Sequence, residues 1–103
     1  LSNATATGAG VAWNPNDTSA VATYTHHSFQ AVGNTSTSTG AATVLIQVSN
    51  DGVNYITMGT ITLVLGTAVT SDGFAAANTW EYYRANVSAI SGTGAIVSVY
   101  MKG

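Results

Sequence analysis

The sequence has no cysteine, one proline, and only two basic residues against four acidic ones. Each shortage removes a class of protein. Without Cys there is neither a disulfide framework nor a thiolate metal site. Charged residues make up 6% of the chain, against about 25% in an ordinary globular domain. Binding that neutralises several phosphates needs cations this chain lacks, which excludes nucleic acid as a partner and a polybasic membrane anchor. The apolar runs Val44-Leu45-Ile46 and Leu63-Val64-Leu65 are far shorter than the roughly 20 residues of a membrane-spanning helix. The chain opens on Leu1 with no basic stretch leading into an apolar core, so no signal peptide is expected.

The 103 residues suffice for one domain with a real core. Hydrophobic residues reach 46%, so the exterior must be built from Ser, Thr, Asn, Ala and Gly. A monomer free in solution ordinarily carries interspersed charge that keeps it apart from its neighbours. So sparse a charge implies an exterior covered by other subunits, ahead of a secreted domain kept soluble by hydroxyls and amides.

Thr, Val, Ile, Tyr and Trp are abundant, with Gly, Asn and Ser between the apolar runs, which predicts strands. Residues 1–20 read as an extended N-terminal arm with Trp13 as its one anchor and a turn at Asn14-Pro15-Asn16-Asp17. Residues 21–103 read as the folded domain. Its expected strands are 21–32, 42–49, 53–58, 60–65, 80–90 and 95–101, with loops at 33–40 and 66–78. Alternation sends Val44, Ile46 and Val48 to one face, and Tyr83, Ala85 and Val87 inward opposite Arg84, Asn86 and Ser88. Ile61, Leu63 and Leu65 alternate with Thr62 and Val64 in the same way. Asn50-Asp51-Gly52 predicts a tight turn with positive φ, and Gly59 a bulge or bend. The pattern points to an all-β, antiparallel two-sheet sandwich of jelly-roll or Ig-like type, with a small barrel as the runner-up.

Catalytic constellations are scarce. Asp17, Asp51, Asp72 and Glu81 are scattered, and Asp51 and Asp72 precede Gly in turn-like stretches. His26-His27 would point to opposite faces of a strand and could not chelate one ion together; a partly buried His bonded to backbone is the simpler reading. No nucleophile elbow, phosphate loop or complete calcium loop is present. The expectation is no enzyme and no cofactor. Aromatic residues remain: Trp13, Tyr24, Tyr55, Trp80, Tyr82 and Tyr83, with Arg84 and Asn86, suit either sugar stacking or protein contacts. Trp13, Tyr24, Trp80, Tyr82 and Arg84 are the expected interface residues.

Residues 44–55, VLIQVSNDGVNY, followed by residues 80–87, WEYYRANV, and the later AISGTGA at 89–95, resemble small β-rich structural proteins of tailed bacteriophages. The likeness covers about the last sixty residues. It implies a virion component, a capsid decoration (cement) protein first among head or tail accessory types. Its partners would be the major capsid protein or other virion subunits, and it would form a homo-oligomer, a trimer before other states. The same stretches are similar to discoidin-type (F5/8 C) jelly-roll domains, which bind sugars or lipid head groups through loops at one end. That second likeness implies the alternative, a carbohydrate-binding module or tail-fibre-type receptor-binding domain.

Overall fold

The computed structural model describes residues 1–14 and 26–102. It is all-β, with no helix among the described residues. The strands are β1 (Gly8–Ala9), β2 (His27–Asn34), β3 (Gly40–Ser49), β4 (Ile56–Leu65), β5 (Thr70–Ala76), β6 (Tyr82–Ser91) and β7 (Ile96–Lys102). They form two antiparallel sheets, ordered β1-β6-β3-β4 and β5-β2-β7.

Alternation explains which sheet faces meet. In β3, Ala42, Val44, Ile46 and Val48 are buried, and in β4 Ile61, Leu63 and Leu65. β6 adds Tyr83, Ala85 and Val87, and the second sheet answers with Phe29, Ala31, Val97 and Val99. Each Val, Leu, Ile or Phe among them taken fully from water contributes about 1.5–3 kcal/mol. The sandwich, with this inward set on β3, β4 and β6, is as the sequence leads one to expect.

Both ladders of β3 slip by one residue. Ile46 pairs with Gly59 and Gln47 with Thr57, which leaves Met58 as the extra residue on β4. At Gly59 the Phe74 ring occupies the place of a side chain; an added Cβ would lie 2.5 Å from its Cζ, so a larger residue would displace the ring. On the other side, Thr43 pairs with Ala89 and Val44 with Val87, so Ser88 bulges from β6.

Three segments differ from the sequence expectation. The loop expected over 66–78 contains β5, whose Thr70-Ser71-Asp72-Gly73 start reads locally as a turn. β5 is an edge strand, mostly exposed, and Phe74 is its one large side chain packed on the core. The return strand expected at 53–58 begins only at Ile56, because Val53 and Asn54 are held in the preceding loop by Asp51. The first strand, expected at 21–32, runs from His27 to Asn34 in its described part; residues 21–25 lie outside the described residues.

The described part of the expected arm is paired along the sandwich. Ala4 and Val97 exchange backbone hydrogen bonds of 2.7 and 3.0 Å, and Val99 N–H donates to Leu1 O. The chain then crosses to the other sheet, where β1 pairs with β6, Gly10 N–H donates to Ala85 O, and Trp13 and Tyr83 exchange bonds of 2.7 and 2.9 Å. One segment thus covers the free edges of β7 and β6, satisfying backbone groups that would otherwise be open to another strand. The turn expected at 14–17 lies, beyond Asn14, outside the described residues.

Candidate interaction surface

The end of the sandwich near the start of β6 is organised by Tyr83. Its ring is fully buried and packs on His27 and Phe29, with centroids 4.5 and 5.8 Å away. Its hydroxyl donates to Asn78 Oδ1 at 2.5 Å and accepts from Trp80 N–H at 3.1 Å. These bonds tie Tyr83 to the segment that joins β5 of one sheet to β6 of the other. Burial pushes the hydroxyl pKa up, so the group stays a donor. The His27 ring nitrogen Nε2 bonds the Asn78 carbonyl at 3.2 Å, while its buried Nδ1 has no partner. The His-to-backbone reading of the sequence holds for His27, and among the described residues no three His, Asp or Glu side chains cluster as a metal site would need.

Next to this corner the β3–β4 loop is knitted by Asp51. Its carboxylate accepts from Val53 N–H and Asn54 N–H, both at 2.8 Å, from Asn54 Nδ2 at 2.9 Å and from Ser49 Oγ at 2.7 Å. Gly52 turns with φ 73°, the positive value expected of the motif. The loop lies over Tyr82, whose ring carbon Cε2 would be 3.2 Å from a Cβ at Gly52. Asn50 Oδ1 accepts from Glu81 N–H at 3.1 Å, which joins the loop to the chain entering β6.

The hydrogen bonds from Asn54 and Val53, followed by those of the Asn54 and Ser49 side chains, hold the Asp51 carboxyl well below the ordinary carboxylate range near 3.9. A depressed folded-state pKa gives a contribution that is whole above the unfolded value and is lost only as pH falls through the folded one. The Val53 and Asn54 amide resonances should therefore keep their positions in an NMR titration down through pH 4. A transition of both amides centred near pH 4 would contradict this.

On the outer face of the four-stranded sheet, Gln47 stands opposite Arg84 in the β3–β6 register and opposite Thr57 in β3–β4. Arg84 Nε donates to Gln47 Oε1 at 2.8 Å. Its guanidinium carbon lies 3.8 Å from the centroid of the Tyr55 ring, a cation–π contact reaching across β3.

Of the expected interface residues, Trp80, Tyr82 and Arg84 come together at this end, and Trp13 joins them through its backbone bonds to Tyr83. Trp13 and Trp80 also pack on the core, so part of each anchors the fold. Tyr24 lies outside the described residues. Sequence reasoning weighed Tyr55 for sugar stacking or protein contacts but not among the expected interface residues, and did not single out Gln47; no local signal marks either as a neighbour of Arg84. A shallow polar depression lined by Asn50, Asn78, Thr79 and Trp80 adjoins the loop. On the other sheet, Ser28, Gln30, Tyr100 and Lys102 line a second one.

No protein-family model, curated protein or solved structure matches the chain.

Proposed function

We propose that this protein is a non-enzymatic structural subunit of a phage particle, with a capsid decoration (cement) protein as the first assignment. The carrying observation is an exterior that combines scarce charge with bare apolar side chains. Val11, Val53 and Val64 are 88%, 79% and 76% exposed, in a chain with 6% charged residues. Such a surface is poorly suited to solvent and well suited to contacts with other subunits. The resemblance of residues 44–55 and 80–87 to small phage structural proteins supports the same reading. The partners would be the major capsid protein or other virion subunits, with the chain itself a homo-oligomer, a trimer before other states.

Contacts of this kind rest on apolar burial and neutral hydrogen bonds, with few ion pairs to screen. The chain should stay on particles washed in about 1 M salt, where the Debye length is near 3 Å. Release at 1 M with retention at low salt, read by gel analysis of pelleted particles, would overturn the assignment. The alternative, a carbohydrate-binding module, calls for an array of coplanar aromatic rings. Among the described residues Tyr100 stands by itself on the outer face of the three-stranded sheet, beside Gln30.

A further inference from the structure

We infer that Arg84 is a receptor for a single carboxylate supplied by the surface of a neighbouring protein. This inference rests on the subunit reading above and names the chemistry of the partner at that site. Arg84 is the only arginine in the chain. Its guanidinium is restrained twice, by the Gln47 amide oxygen at Nε and by the Tyr55 ring, whose centroid lies 3.8 Å from the guanidinium carbon. Neither contact uses the two terminal nitrogens, which form a fork, the geometry that binds a carboxylate through two parallel hydrogen bonds.

The described residues supply no counter-charge. No Asp or Glu among the described residues lies within ion-pair distance of Arg84. Asp51 already accepts from Ser49, Val53 and Asn54, and Asp72 binds its own neighbour Gly73 N–H at 2.8 Å. An arginine held in place with no anion beside it among the described residues is half of a pair. Preorganised Arg and Tyr side chains are also the residues that dominate protein–protein contacts. Phosphate fits the same fork, but a nucleic-acid backbone offers a row of phosphates. The chain's one lysine, Lys102, is on β7 of the other sheet, and the net charge is −2. A lone carboxylate meets neither obstacle.

The test has two arms. In the first, the purified chain is titrated with acetate at constant ionic strength held by chloride, while NMR follows the Arg84 Nε–H, the Tyr55 ring and the Gln47 side-chain amide. A saturable shift confined to these groups is expected, with a Kd of roughly tens of millimolar. Tyr55 and Gln47 should not respond in the Arg84→Lys variant, which keeps the charge and loses the fork. No saturable shift, an equal response in Arg84→Lys, or tighter binding of inorganic phosphate overturns the inference.

In the second arm, particles depleted of the chain are reloaded with wild type or Arg84→Lys. The variant should bind at least about tenfold more weakly. Equal binding overturns the carboxylate inference and leaves the subunit reading intact. Failure of the wild type to bind overturns the subunit reading, and the acetate arm then decides whether Arg84 is a carboxylate receptor.

Discussion

Replacing Tyr83 by Ala should lower the thermal unfolding midpoint by roughly 15–30 °C. Removing a fully buried aromatic ring costs about 3–5 kcal/mol through lost transfer energy and the cavity left behind. In a domain of this size each kcal/mol corresponds to about 4–8 °C. The ring is wedged between His27 and Phe29, so the cavity would open between two sheets where neither can close it without moving the other. The substitution also removes the hydrogen bonds that the Tyr83 hydroxyl makes with the Trp80 amide and Asn78 Oδ1. Tyr83→Phe separates the two contributions, since it keeps the ring and removes only the hydroxyl. Its cost should be about 1–3 kcal/mol, that of leaving buried polar groups unpaired. Circular dichroism melts of the two variants measure this. A Tyr83→Ala midpoint within a few degrees of wild type would remove Tyr83 from the centre of the fold.

Deleting residues 1–13 should be of similar consequence, and for a different reason. The segment exchanges backbone hydrogen bonds with Val97, Val99, Ala85 and Tyr83. It also lays Leu1, Ala4 and Trp13 against the core. Net hydrogen-bond contributions near 1 kcal/mol each, together with the apolar burial, sum to about 4–8 kcal/mol. That is comparable to the whole stability of a small domain, about 5–15 kcal/mol. The deletion also bares the edges of β6 and β7 together, and an uncovered edge is a template for pairing with another chain. The truncated protein should lose its cooperative melt or associate in size-exclusion chromatography. An arm that served only to reach a neighbouring subunit would give the opposite result, a truncated domain that melts like the full chain and stays monodisperse.

Much of the fold is legible because a strand's inward face repeats every second residue. Val44, Ile46 and Val48 declare the core face of β3 within a few positions, as do Ile61, Leu63 and Leu65 for β4 and Tyr83, Ala85 and Val87 for β6. The turn at Asn50-Asp51-Gly52 is equally local, since the Asp51 carboxylate bonds residues next to it in the chain. β5 is not legible in this way. An edge strand that sends one large side chain inward has almost no pattern to read, and Asp72-Gly73 by itself spells a turn. The opening residues are illegible for a related cause. Small side chains such as those of Ala4 and Gly10 give no periodic signal, yet their backbone groups bond as well as any others.

The candidate interaction surface divides along the same line. Arg84 stands out in a chain with so little charge, and its outward direction follows from the inward run around it. That the Tyr55 ring lies near its guanidinium and Gln47 bonds its Nε depends on the register of β3 against β6 and on where the chain enters β4.

Residue types and their alternation therefore determined by themselves that the chain is all-β, which side chains of β3, β4 and β6 face inward, and how few charges the chain carries. The tertiary structure alone decided which strands are neighbours, that the N-terminal segment covers two edges, and which side chains surround Arg84. The reason is that alternation is a property of successive residues, whereas backbone N–H and C=O groups are the same in every strand. Which strand they meet is settled only when the whole core closes.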